Sequence, residues 1–256
     1  MNRIVNFAKR NLLEMSRDVL SYIFCIIFPI VMLIIMSVVN SSIPKEAGMT
    51  LFRIDNLLGG ILIFGLTFVM LFTAIGVAKD RSGSFLIRLF ASPMRSEDFA
   101  IGYILPMMAV ALIQALIAFA ASMAIARITN AQLNPVGLLI STIVLFPAAL
   151  MFTAIGMIVG TLFNEKAAPG ICSIFISLGS FVGGIWFDVD GVGGVMQKIS
   201  RCTPFYYATK AVRASIDLDF GKENYLIPVI IVVVSAVILT VISCLVFRRK
   251  MRADLA

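Results

Sequence analysis

The sequence predicts an all-α, polytopic membrane protein with six transmembrane helices. Three observations carry that expectation. Of the 256 residues, 60% are hydrophobic and 14% charged, whereas a soluble domain carries roughly 25% charged residues. Mean hydropathy is +1.02. Apolar runs of about 20 residues, the length at which a helix crosses a bilayer core, occur six times.

The chain opens on a charged amphipathic stretch, 1–18, rather than on the short basic region and cleavable apolar core of a signal peptide. Wound as a helix, Ile4, Val5, Ala8, Leu12, Met15 and Val19 share one side, and Arg3, Lys9, Arg10 and Arg17 the other. This is the pattern of an interfacial helix lying on the membrane. The predicted spans follow at 19–40, 57–78, 99–126, 137–163, 169–187 and 226–247. Pro29, Pro106, Pro147 and Pro228 fall within them and predict kinks, since each removes a backbone donor. Gly156/Gly160 and Gly179/Gly183 have the spacing that lets helices approach closely. The string "FTAIG" occurs at 72–76 and 152–156, but the flanking residues do not extend the match.

Charge sets the orientation. With these spans, thirteen of the 21 Lys and Arg fall on the side of the two termini and eight on the other. Both termini are therefore expected in the cytoplasm, anchored by the C-terminal "FRRKMR". Segment 188–225 then lies outside and carries five of the eight. The net charge of +7 marks cytoplasmic loops, not a nucleic-acid partner.

The loop 79–98 is charged at both ends, by Lys79, Asp80 and Arg81 and by Arg95, Glu97 and Asp98. Between them lies "SFLIRLFAS". As a helix it places Phe85, Leu86, Ile87, Leu89 and Phe90 on one broad face and Ser84, Arg88 and Ser92 on the other. A serine hydroxyl caps the start, and Pro93 ends the helix at the preceding residue. The apolar face needs cover from the membrane surface, from the ends of other spans or from a groove on a partner.

Several chemistries lack their residues. There is no histidine, the commonest general base and proton relay. Cys25, Cys172 and Cys244 lie in apolar runs and Cys202 in the outer loop, with no Cys-x-x-Cys spacing. Asp188-x-Asp190 and Asp217-x-Asp219 match no calcium-loop pattern and read as solvated loop charge. No ionisable residue lies well inside a predicted span, and Gln114 is the strongest polar group at depth. This disfavours ion-gradient coupling. No Gly-x-x-x-x-Gly-Lys-[Ser/Thr] is present, so uphill transport would take its power from another chain. An ion-driven transporter or channel, and a membrane scaffold that moves nothing, are the alternatives.

The order of these features resembles the permease subunits of type-2 ATP-binding-cassette exporters, over essentially the whole chain. The likeness rests on a basic amphipathic opening that runs into "RDVLSYIFCIIFPIVMLI", on the first cytoplasmic loop ending in "SPM", and on "ISRCTPFYYATKAVRASI" before the last span. The resemblance implies that 85–91 is a coupling helix seated on a nucleotide-binding subunit, with Ser84, Phe85, Leu86, Arg88, Leu89 and Phe90 at the contact. It implies that Pro204, Tyr206, Tyr207 and Arg213 belong to an outer re-entrant element. It implies a path along the second and fifth spans; Phe68, Met70, Gln114, Phe175 and Phe181 are the candidate lining residues, and the few polar groups point to an amphipathic or lipidic cargo, with a peptide or drug as options. The implied partners are two ABC ATPase subunits, which hold ATP and Mg²⁺, a second permease copy, identical or related, and the lipid bilayer. This chain itself would need no cofactor and would form one permease domain over 1–256 in a bacterial plasma membrane. Two details depart from the family: the loop opens as "KDRSGSF" rather than with an acidic run, and Gly102-Tyr103 stands where the family has Gly-Lys.

Overall fold

The computed structural model describes residues 2–43, 51–83 and 96–254, and among them every regular element is helical. Helix α1 covers Asn2–Ser16. Asp18 then starts the next helix, accepting the Leu20 N–H at 3.2 Å and the Ser21 hydroxyl at 2.7 Å. That helix runs as α2 (Val19–Tyr22), a π turn (Ile23–Ile27) and α3 (Phe28–Ser42). Helix α4 is Ile54–Ser82, α5 is Ser96–Thr129 and α6 is Pro135–Leu162. Helix α7 is Ala168–Val182, and short helices α8 (Val189–Val192), α9 (Gly194–Arg201) and α10 (Pro204–Ile216) follow. A second π turn, Lys222–Leu226, leads into α11, Ile227–Asp254.

The two π turns have one physical cause. Each immediately precedes a helix whose second residue is proline, Pro29 or Pro228. A proline ring clashes with the carbonyl four residues back, and the wider π turn makes room for it. Pro106 and Pro147 stay inside α5 and α6 instead.

Among the described residues five helices are long and apolar enough to cross a membrane: Val19–Ser42, Ile54–Ser82, Asp98–Thr129, Pro135–Leu162 and Lys222–Lys250. The fifth expected span, 169–187, is helical only as α7, over 15 residues. That is about 22 Å of helix against a core of about 30 Å. It stops where Gly183 and then Gly184, with φ +65°, turn the chain away.

Helix α4 is the axis of the bundle. Within its most apolar stretch 83% of residues are buried, against 17% in the spans at Val19–Ser42 and Lys222–Lys250. It packs most extensively on α6 and also meets α5, α7, α10 and α3. Gly156 and Gly160 explain the tightest contact. A Cβ on either would run into a carbonyl oxygen of α4, that of Met70 or Ala74. This glycine pair therefore packs within the chain. The two "FTAIG" copies do different work, since a Cβ on Gly76 would meet nothing within 4 Å. The outer helices turn Ile230, Val234, Val237, Val241 and Leu245 of α11 outward, all at least half exposed but one, with Val234 at 49%. An exposed apolar surface of that extent fits lipid or another membrane helix.

Candidate functional site

The two ends of the bundle carry the polar chemistry. At the end that bears both termini, α1 lies against α5 and reaches the last turn of α4. Phe7 is the apolar anchor, edge-on to Phe99 at 5.5 Å and to Tyr103 at 5.1 Å, with Phe247 of α11 beside both rings at 6.3 Å. Gly102 leaves the notch for it, because a Cβ there would collide with the Phe7 ring. Next to this cluster Arg10 grips Asp80 with both guanidinium nitrogens, at 2.6 and 2.9 Å. The Tyr103 hydroxyl donates to the same carboxylate at 2.8 Å. Asn11 donates to the Gly102 carbonyl at 3.1 Å.

Asp80 is buried, with 7% of its side chain exposed, and is paired and triply hydrogen-bonded. Burial works against the Arg10 charge, but the Asp80 bond and charge outweigh it and hold Arg10 above its ordinary pKa. A rim of exposed pairs surrounds the clamp. Glu14 takes Arg10 at 2.6 Å and Lys79 at 2.9 Å. Arg81 donates to the Thr161 carbonyl of α6. Four helices, α1, α4, α5 and α6, are thereby joined where α4 enters the 79–98 loop.

The proposed coupling residues Ser84, Phe85, Leu86, Arg88, Leu89 and Phe90 lie outside the described residues. What is described is their root. The sequence reading placed Asp80 in a charged loop and Arg10 on the solvent face of α1; instead the two meet each other and Tyr103. No spacing rule links positions 10, 80 and 103. The face of α1 buried in the bundle is Phe7, Ala8 and Asn11, while Val5 and Leu12 of the expected apolar side remain exposed, as does Leu13.

At the opposite end α8, α9 and α10 form a cap. Pro204 occupies the first turn of α10, where its missing N–H costs nothing. Tyr206 and Tyr207 stand edge to face at 5.2 Å. The Tyr206 hydroxyl donates to Asp190 of α8 at 2.8 Å, and Gln197 and Arg201 of α9 reach the same carboxylate at 2.9 and 3.1 Å. Burial works against ionised Asp190, yet these three donors hold its carboxyl below the usual value. Burial, reinforced by Asp190, pushes the Tyr206 phenol up to about 12.

Helix α10 is wedged among α6, α4 and α11. Arg213 enters that wedge beside Gly59 and Gly60. Its Nε donates to the Asn56 carbonyl at 2.9 Å. Burial pulls its pKa down to about 10 against the nearby charges of Asp188, Asp217 and Asp55, so it is still a cation at neutral pH. Pro204, Tyr206, Tyr207 and Arg213 thus share one structured element.

The candidate path residues divide. Phe68 and Met70 are buried in α4, where Phe68 sits among Phe24, Phe28 and Phe64 at 5.2 to 5.5 Å. Gln114 is 2% exposed in α5. Its amide fills the space a Cβ on Gly65 would take, and neither its nitrogen nor its oxygen has a hydrogen-bond partner. Phe175 and Phe181 are exposed on α7. The five do not share one surface. Among the described residues no three of His, Cys, Asp or Glu gather as metal ligands.

A multi-pass helical bundle with an apolar exterior, a charged clamp at one end and a folded cap at the other is the build of a membrane permease. A model of the ABC-2 type transporter family matches residues 3–216, most of the chain, and the chain belongs to that family. It is the transmembrane component of an ABC transporter, the permease part rather than the ATPase. A comparison with curated proteins gives no match.

Proposed function

We propose that this chain is the transmembrane subunit of an ATP-driven exporter for an amphipathic, lipidic, drug or peptide cargo. Two ABC ATPase subunits dock on the 79–98 loop and supply ATP, Mg²⁺ and power. A second permease copy, identical or related, completes the path. Both termini lie in the cytoplasm of a bacterial cell, and α1 lies in the membrane interface with Val5, Leu12 and Leu13 toward lipid. Helix α7 makes the sixth crossing as a short helix, with α8–α10 folded beyond its end.

The observation that carries this reading is the clamp of Arg10, Asp80 and Tyr103. A docked ATPase can move spans only if the loop it pushes is stiffly attached to them. Buried, bidentate and shared by three helices, the clamp provides that attachment at the first residues of the loop. The chain performs no covalent step. Its contribution is different affinity for cargo in inward-facing and outward-facing states, between which ATP drives it.

The test is transport by the reconstituted complex. In inside-out vesicles a fluorescent amphiphile should accumulate only with ATP and the ATPase subunit, regardless of proton or sodium gradients. Accumulation driven by an ion gradient without ATP would overturn the reading in favour of a secondary transporter.

A further inference from the structure

Two cavities open at the cap end, separated by Asp217. The smaller, of about 220 Å³, is lined by Asp188, Tyr206, Lys210, Arg213, Asp217 and Asp219 among others. The larger, of about 620 Å³, shares Asp217 and adds Asp55 and Arg127. Most charged groups of the smaller cavity are already engaged. Asp190 is held by Gln197, Arg201 and Tyr206. Asp219 accepts the Gly221 N–H at 3.0 Å and the Asn224 amide at 2.7 Å. Asp188 accepts the Asp190 N–H, and Arg213 donates to main-chain carbonyls.

Two groups are left. The Lys210 ammonium stands 5.9 Å from the centre of the Tyr206 ring and makes no ion pair among the described residues. The Asp217 carboxylate accepts neither a hydrogen bond nor an ion pair among them. They sit seven positions apart along and just past α10, on one side of it and about 10 Å apart along its axis. The two side chains make no direct pair within 4 Å. One cavity therefore presents two charges of opposite sign without a direct ion pair, Lys210 facing Asp190 and Asp219 and Asp217 facing Arg53 and Arg213.

We propose that this cavity binds a small zwitterion carrying a primary ammonium and a phosphate. Asp217 takes the ammonium, and Lys210, with Arg213 behind it, takes the phosphate. The volume equals on the order of seven waters at about 30 Å³ each, the size of phosphoethanolamine. A primary ammonium suits the site better than a quaternary one. It can donate hydrogen bonds to Asp217, whereas a quaternary group needs an open aromatic face, and that of Tyr206 is covered by Lys210. The ligand can come from a lipid headgroup or from free solution. A role as the exit station for exported cargo rests on the exporter reading above; the binding does not.

The test uses the full chain in phosphatidylglycerol nanodiscs, titrated with O-phosphoethanolamine by calorimetry and by the emission of Trp186, the single tryptophan, two residues from the cavity wall at Gly184. Saturable binding is expected, with affinity at least about tenfold weaker for glycerol phosphate, which lacks the ammonium, and for phosphocholine. Asp217→Asn and Lys210→Gln should each lose at least about tenfold, while Asp217→Glu and Lys210→Arg retain most of the affinity and show that the fold is intact. Discs containing phosphatidylethanolamine should block the titration if the lipid is the source and leave it unchanged if the ligand is free. No saturable binding, equal affinity for glycerol phosphate, or unaltered affinity in both charge-removing variants would overturn the assignment. ATPase-driven transport failing while phosphoethanolamine still binds would overturn only the exporter reading.

Discussion

Removing Arg10 should destabilise the protein more than removing Arg10 and Asp80 together. Asp80 has 7% of its side chain exposed and Arg10 has 35%. Arg10→Ala leaves a buried carboxylate with Tyr103 as its one remaining side-chain donor among the described residues. Stranding one partner of a buried pair costs about 3–5 kcal/mol, and the partial exposure of Arg10 lowers that to about 2–4 kcal/mol. Asp80→Ala is milder. Arg10 keeps Glu14 at 2.6 Å and access to water, so the loss is about 1.5–3 kcal/mol, the worth of hydrogen bonds to a charged group. In the double variant no charge is stranded, only the Tyr103 hydroxyl as in Asp80→Ala, and its cost should be close to that of Asp80→Ala alone. The coupling is then about 2–4 kcal/mol, the whole cost of Arg10→Ala. Thermal unfolding of the purified chain in detergent checks this, with about 2–4 °C per kcal/mol for a chain of this size. Arg10→Ala should drop the midpoint by about 4–16 °C, and adding Asp80→Ala should recover part of it. Single effects that simply add, within about 0.5 kcal/mol, would refute the claim that the two side chains act as one clamp.

Other consequences are equally direct. Gly156→Ala and Gly160→Ala each push a methyl into an α4 carbonyl and should cost about 1–3 kcal/mol, whereas Gly76→Ala should be neutral or stabilising by up to about 1 kcal/mol; unfolding midpoints separate the two classes. Gly65→Ala should be destabilising alone, because the new methyl meets the Gln114 amide, and Gln114→Ala added to it should restore stability. Asp190 is held below its ordinary pKa, so the stability it contributes is complete above the unfolded value of about 3.9 and is lost as pH falls through the lower folded value. The cap should stay closed to pH 5 and loosen only below about pH 4, read by Trp186 emission, and Asp190→Asn should flatten that response. Cys202 is exposed at the cap end while Cys25 and Cys172 are buried, so a membrane-impermeant maleimide should label Cys202 on intact cells if the cap faces outward.

The spans were legible because long apolar runs leave a chain few options. Their ends were less so. The second span stops at Ala78 by composition, yet α4 continues to Ser82. Lys79 and Arg81 can extend their stems past the apolar zone, and Asp80 is neutralised by a residue 70 positions away. The fifth run reads as continuous through Phe187, but Gly183 and Gly184 break the helix where α10 and Val189 crowd in. Glycine spacing marked Gly156 and Gly160 as contact points without naming α4 as the partner. The cap was placed by resemblance at 199–216, and its clasp on Asp190 was missed, since Asp190 read as solvated charge. Gln114 was visible as the lone polar group at depth; that it lies against Gly65 is a property of packing alone.

The central claim is that power enters through the 79–98 loop from a separate ATPase. Its most direct test is capture of the partner by the tagged chain from gently solubilised membranes, with bound proteins identified by mass spectrometry. The wild-type chain should retain an ATPase bearing a P-loop, and Phe85→Ser, Leu89→Ser and Phe90→Ser together should release it while the permease still inserts at normal levels. Undiminished ATPase capture by the triple variant, or no P-loop ATPase with the wild-type chain, would contradict the account.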